Sequence, residues 1–181
     1  QMSRGVPRQG HWAGVCPDRA RGCEACCTFV VRFRWTDKAP SIHLHLSSSI
    51  SSQFFVINGD SFSDINLNQM VKEFNKSQYK AMIGISEVKD AERYGTVKVH
   101  DGNVVEFNEK GISGPGWINN GYYILKSEIF EEHNGFFSLE KKIFPHLAQN
   151  YELGAFKVKN DTFIDIGIPE DYEKLCNLFK S

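Results

Sequence analysis

The chain has 181 residues, enough for one domain with a real core. Its 41% hydrophobic and 24% charged content is ordinary for a soluble globular protein, and a formal net charge of −1 provides no global field toward nucleic acid or an anionic membrane. No apolar run is long enough to span a bilayer, and the N-terminus lacks the continuous apolar stretch of a signal peptide, so the cytoplasm is the expected compartment.

Residues 1–52 and 53–181 read as two unlike parts. The first carries seven basic against three acidic residues, and six of the seven are arginine. The second carries fourteen basic against nineteen acidic residues, and Arg93 is its single arginine. Four of the five cysteines (Cys16, Cys23, Cys26 and Cys27) fall in the first part, and the odd count argues against a secreted disulfide framework. Cys23 and Cys26, with His11, His43 and His45 nearby, offer half of a zinc site. The second half is missing, because His43 and His45 are separated by one residue and Cys16 is isolated. A loose alternation over residues 27–35 fits one strand, and the serine-rich run at 47–52 reads as a linker.

From residue 53 onward the pattern is coherent. The apolar run at 54–57 predicts a buried strand that stops at Asn58-Gly59-Asp60. Apolar residues at helical spacing predict a short helix over 67–74. Strands follow at 81–88 and 95–99, the latter joined as a hairpin to 104–107 through Asp101-Gly102-Asn103. A strand at 118–125 leads into a short helix at 126–130. A longer helix over 138–150 turns Leu139, Ile143 and Leu147 inward. Strands at 155–158 and 163–166 precede a C-terminal helix over 169–179, with proline in its first turn and Glu170 and Asp171 favouring its dipole. Strands alternating with helices predict an α/β sheet.

Two aspartates stand out. Asp60 and Asp165 each follow an apolar strand, Asp60 directly after Gly59 and Asp165 two residues before Gly167. A carboxylate at a strand's C-terminal end lies where open α/β sheets bind ligands, and two of them can converge on one Mg²⁺. Either alone is as readily a turn or helix cap. Glu109-Lys110 precedes a glycine-rich stretch, where a lysine can neutralise a phosphate, although a solvated charged pair has the same appearance. Asn119-Asn120-Gly121 is polar in the middle of an apolar strand. It therefore calls for hydrogen-bond partners and for something packed against the glycine, or else marks a bulge. Tyr94-Gly95 forms a small backbone platform at a strand start. There is no nucleophile elbow, no Walker loop and no paired basic and aromatic stripe for nucleic acid.

Taken in order, Asn58-Gly59-Asp60, Tyr94-Gly95-Thr96-Val97, Phe107-Asn108-Glu109-Lys110, Ile118-Asn119-Asn120-Gly121-Tyr122-Tyr123, Phe137-Ser138-Leu139-Glu140 and Asp165-Ile166-Gly167-Ile168-Pro169-Glu170-Asp171-Tyr172 resemble the sugar-phosphate nucleotidyltransferase family over nearly all of 53–181. Within it the chain looks most like the branch that activates heptose 1-phosphate or mannose 1-phosphate with GTP. The resemblance implies a Rossmann-like sheet with flanking helices, and partners that are a nucleoside triphosphate and a sugar 1-phosphate. The sugar phosphate oxygen attacks the α-phosphorus in line and pyrophosphate leaves, in service of nucleotide-sugar synthesis for lipopolysaccharide or capsule. It also implies that Asp60 and Asp165 hold Mg²⁺, that Lys110 contacts the sugar phosphate and Glu109 the sugar hydroxyls, and that Asn119, Gly121, Gly59 and the Tyr94-Gly95 backbone line the substrate pocket. A homo-oligomer is compatible with this reading.

Two departures accompany the resemblance. Asn120 stands where the family usually has alanine or another small residue. Members of the family begin with a strand and a Gly-Gly-x-Gly-Thr-Arg loop that holds the triphosphate, and residues 1–52 contain no such loop. The switch from arginine to lysine then reads as a non-native or disordered segment, from another frame or a fusion, with the first strands missing or replaced. A sugar-phosphate binding or regulatory subunit without turnover, an inactive fragment, and a zinc-binding interaction module at 1–52 are the competing expectations.

Overall fold

The computed structural model describes residues 52–108, 113–130, 138–158, 163–166 and 169–179, together with the backbone of 32–36 and 39–43. That backbone forms a two-stranded antiparallel hairpin of β1 (Arg32–Thr36) and β2 (Ala39–His43). The cysteine and histidine side chains weighed as a zinc site lie outside the described residues.

The body of the fold is a six-stranded mixed sheet in the order β3-β8-β5-β9-β7-β6. Its strands are β3 (Gln53–Ile57), β5 (Ala81–Val88), β6 (Val97–His100), β7 (Asn103–Phe107), β8 (Gly116–Lys126) and β9 (Leu153–Lys157). The expected α/β class with flanking helices is what the structure has. β5 and β9 run parallel, and the other pairs are antiparallel. The first six residues of β5 are all buried, as an apolar strand covered on both faces should be. Asp101 and Gly102, at φ 49° and 81°, make the tight turn between β6 and β7.

A helical layer covers each face. α1 (Leu67–Lys76) starts where the Asn66 side chain accepts from the Gln69 N–H at 3.0 Å. It buries Met70 and Phe74 against Met82, Ile124, Phe156 and Val158. Replacing Asn66 by alanine should cost about 1 kcal/mol, read as a small drop in urea midpoint with an unchanged m-value. On the opposite face, α2 (Phe144–Gln149) and the π-helical turn before it (Leu139–Ile143) cover Val56, Ile83, Ile85, Tyr123, Leu125 and Leu153. The predicted inward residues Leu139, Ile143 and Leu147 are all buried there. After β8, a 3₁₀ turn (Ser127–Phe130) stacks Phe130 on Phe54 at 5.8 Å between ring centroids.

The 138–150 segment differs from the single helix that its periodicity predicts. The Phe144 N–H reaches back five residues to the Leu139 carbonyl. Pro145 has no N–H to continue a regular ladder, and the turn before it widens.

A second, two-stranded ladder of β4 (Ser61–Phe62) and β10 (Ile164–Asp165) forms beside the turn that ends β3. α3 (Pro169–Leu178) follows β10, and just beyond it Phe179 meets Phe62 edge-on at 5.8 Å. No helix among the described residues is long and apolar enough to cross a membrane.

Candidate functional site

The antiparallel ladder of β4 and β10 brings the two aspartates to neighbouring positions. Asp165 lies opposite Ser61, and the Ile166 N–H donates to the Asp60 carbonyl at 2.9 Å. Asp60 sits in the Gly59-Asp60 turn, so strand alternation does not fix its side chain. It is exposed, and its Oδ1 accepts weakly from Ser61 Oγ at 3.4 Å. Asp165 is half-buried.

The middle of β8 closes on the same turn. The Asn58 N–H donates to the Gly121 carbonyl at 2.8 Å. Gly121 has φ +84°, and a Cβ on it would lie 2.9 Å from Asn58 Cβ. Both the left-handed backbone and the approach of Asn58 therefore require glycine, which answers the question its sequence context raises. The bulge reading holds as well. Between the pairs Ile83–Tyr123 and Ile85–Asn119, Gly84 of β5 faces three residues of β8.

Strand alternation puts the two asparagines on opposite faces. Asn120 is completely buried on the α1 side, donating to Ser63 Oγ at 3.2 Å and Ser86 Oγ at 3.1 Å and accepting from the Tyr122 N–H at 3.2 Å. A Cβ on Gly84 would collide with Asn120 Oδ1, so the notch of that glycine is filled by the amide. Asn120 is thus a strut between β8, β5 and the segment after Asp60, on the face away from Asn119.

Asn119 points to the α2 side. Its Nδ2 donates to the Tyr123 hydroxyl at 3.0 Å and to Glu140 Oε1 at 3.1 Å, and its Oδ1 accepts from the Gly121 N–H at 3.0 Å. The Tyr123 hydroxyl donates to Glu140 Oε1 at 3.2 Å and receives a long contact from Asn58 Nδ2 at 3.5 Å. Burial, and then the Glu140 charge, push the Tyr123 hydroxyl well above its ordinary value of 10.0. In the folded state this hydroxyl keeps its proton at pH values where the unfolded chain loses it. Its contribution to stability is complete below about pH 10 and falls as pH rises above that, by up to ~1.4 kcal/mol per pH unit. Urea midpoints measured from pH 8 to 11 should decline more steeply in wild type than in Tyr123→Phe.

Tyr94 lies on the Asp165 side of the turn. The Tyr94 ring meets Phe163 edge-on at 5.4 Å, two residues before Asp165. Desolvation raises the Tyr94 pKa, with the nearby Arg93 opposing and Asp165 and Asp171 adding to the rise. A Cβ on Gly95 would lie 2.9 Å from the Asn108 carbonyl oxygen, and the Asn108 N–H donates to the Thr96 carbonyl at 2.8 Å. The end of β7 is thereby fixed against the Tyr94-Gly95 platform. Asp90 Oδ1 accepts from the Glu92 and Gly114 N–H groups at 3.1 and 3.2 Å, which ties the loop before Tyr94 to the end of the glycine-rich stretch. Glu109, Lys110 and Gly167 lie outside the described residues.

Among the expected site residues, Gly59, Asp60, Tyr94, Gly95, Asn119, Gly121 and Asp165 therefore belong to segments that meet around one turn. Sequence reasoning assigned no role to Asn58, Tyr123 or Glu140, although all three stood inside the motifs. The signal was the clustering of polar residues between apolar ones at 119–123.

Residues 32–180 match the family model described as Nucleotidyl transferase. The chain belongs to the nucleotidyl transferase family. A heptose 1-phosphate guanylyltransferase of Campylobacter jejuni is 38% identical over 128 residues, covering 68% of this chain and 54% of that protein. An Aneurinibacillus thermoaerophilus enzyme of the same name is 35% identical over 121 residues, with 66% and 52% coverage. The crystal structure of HddC from Yersinia pseudotuberculosis superimposes with a TM-score of 0.62 at 38% identity, covering 71% of this chain and 56% of that one. A second HddC structure is complexed with GMP-PN, at a TM-score of 0.59. This nucleotidyl transferase chain thus spans about half the length of the curated relatives it matches.

Proposed function

We propose that this chain carries the metal- and sugar-binding part of an enzyme that transfers a guanylyl group from GTP to a heptose- or mannose-type sugar 1-phosphate and releases pyrophosphate. The carrying observation is the ladder that sets Asp165 beside the Gly59-Asp60 turn, with Gly121 backed against Asn58 on its other side. The names of these relatives and the GMP-PN bound to HddC support the choice of guanylyl and heptose chemistry, and a relative named as a probable mannose-1-phosphate guanylyltransferase supports mannose. The reading also puts the protein in the cytoplasm, where GTP is available, supplying sugars for lipopolysaccharide or capsule.

The donor set fits Mg²⁺. No group of three or more potential ligands gathers among the described residues, but Mg²⁺ keeps several waters and needs one or two carboxylates plus substrate phosphates. Asp60 and Asp165 would hold it. When bound it neutralises phosphate charge as the in-line attack proceeds.

The remaining work is positioning. The backbone around Gly121 and the Tyr94-Gly95 platform bound the sugar pocket, and Gly59 lets phosphate oxygens approach the turn. Lys110 offers its charge to the sugar phosphate and Glu109 accepts sugar hydroxyls, from a segment that leaves β7 at the fixed Asn108.

Pyrophosphate release from GTP, Mg²⁺ and mannose 1-phosphate or heptose 1-phosphate tests turnover, and calorimetry with the same sugar phosphates tests binding. Binding with turnover supports the enzyme. Binding without it favours a sugar-phosphate binding subunit, and neither removes both readings.

A further inference from the structure

The hydrogen bonds around Glu140 leave one oxygen over. Its Oε1 receives two donors, Asn119 Nδ2 at 3.1 Å and the Tyr123 hydroxyl at 3.2 Å. Its Oε2 makes no hydrogen bond or ion pair with the described residues, and the side chain is exposed. Both Nδ2 hydrogens of Asn119 are engaged, and its Oδ1 already accepts from the Gly121 N–H. Asn119, expected to line the sugar pocket, also ties Gly121 to Glu140.

We propose that Glu140 is the sugar-selecting residue of this pocket, its Oε2, which has no partner among the described residues, accepting a hydrogen bond from one ring hydroxyl of the sugar 1-phosphate. The inference rests on the sugar-phosphate reading above and names the group that reads the ring. A carboxylate whose other oxygen is held by two donors is pre-oriented, so little rotamer freedom is lost when a hydroxyl docks. An O–H···O⁻ bond is among the stronger hydrogen bonds. An acceptor placed for one hydroxyl also discriminates sharply against an analogue that lacks it. The negative charge adds a direction, because it repels the phosphate and leaves the ring, rather than the phosphate, to face Glu140. Asn119 and Tyr123 act through Glu140 as positioning residues.

Calorimetry on the full chain with mannose 1-phosphate and its 2-, 3-, 4- and 6-deoxy analogues tests this. Glu140→Gln should weaken mannose 1-phosphate binding by roughly 10- to 100-fold, with an unchanged melting temperature. One deoxy analogue should bind wild type equally weakly, and Glu140→Gln should cause no further loss with that analogue alone. Glu140→Asp, which draws the carboxylate back by one methylene, should reproduce the loss and carries the comparison if the glutamine variant melts early. Equal affinity of wild type and Glu140→Gln for mannose 1-phosphate, or the same loss for every analogue, overturns the assignment while leaving sugar-phosphate binding intact. Absence of any sugar-phosphate binding by wild type removes the underlying reading as well.

Discussion

Asp165→Asn is expected to lower magnesium-dependent pyrophosphate release by a factor on the order of 1,000, several kcal/mol of lost charge stabilisation. The substitution keeps shape and removes charge. Asparagine can keep the backbone pairing of Asp165 with Ser61, so the thermal midpoint should move little. Two further readouts follow from position. Binding of Mn²⁺, a paramagnetic probe for the proposed magnesium site, should weaken together with turnover. The Tyr94 hydroxyl should also titrate at lower pH than in wild type, because Asp165 is one of the charges that raise it. A variant that keeps wild-type Mn²⁺ affinity and rate would remove Asp165 from the metal site.

The largest stability effect is expected at a glycine that touches no substrate. Gly84→Ala places a methyl group where Asn120 Oδ1 lies. The amide must move, although it is completely buried and holds Ser63 and Ser86. Overpacking of a tight core costs about 1–3 kcal/mol, and breaking buried hydrogen bonds costs about 1–3 kcal/mol more. The expected loss is roughly 3–5 kcal/mol, or a melting temperature lower by about 10 °C or more in a domain of this size. The double variant Gly84→Ala with Asn120→Ala makes room for the methyl group and should recover part of the loss. Additive losses in the double variant would show that the two residues do not share one space.

These effects mark what the sequence could and could not reveal. Strands such as β5 were plain from unbroken apolar runs, and α1 from its spacing, because those patterns depend on neighbours along the chain. The β6–β7 turn was equally plain, since Asp101-Gly102 suits positive φ. The parallel pairing of β5 with β9 was not, because it joins residues far apart and leaves no local trace. The π-helical turn before Pro145 shows a different limit: the proline was visible, but periodicity alone does not say how the ladder will adjust. At the site, the order of the motifs located the segments around Asp60, Tyr94, Gly121 and Asp165. What stayed hidden was side-chain direction. Alternation separates the two adjacent asparagines but does not say which face is which: Asn119 turns toward Glu140 and Asn120 into the core. Glu140 drew no assigned role because the partners that orient it, Asn119 and Tyr123, come from β8.

The order of the strands also sets a timetable for folding on the ribosome. β5 is buried on both faces, yet both of its neighbours, β8 and β9, come later in the chain. At about 5–20 residues per second, several seconds separate the synthesis of β5 from the completion of β9. Until β8 is made the hydrophobic strand has no edge to join, and its other edge stays open to chaperones or to other nascent chains until β9 follows. Slower translation between Val88 and Leu153 would lengthen that exposure, so synonymous codon choice in this stretch can change soluble yield without altering one residue of the protein.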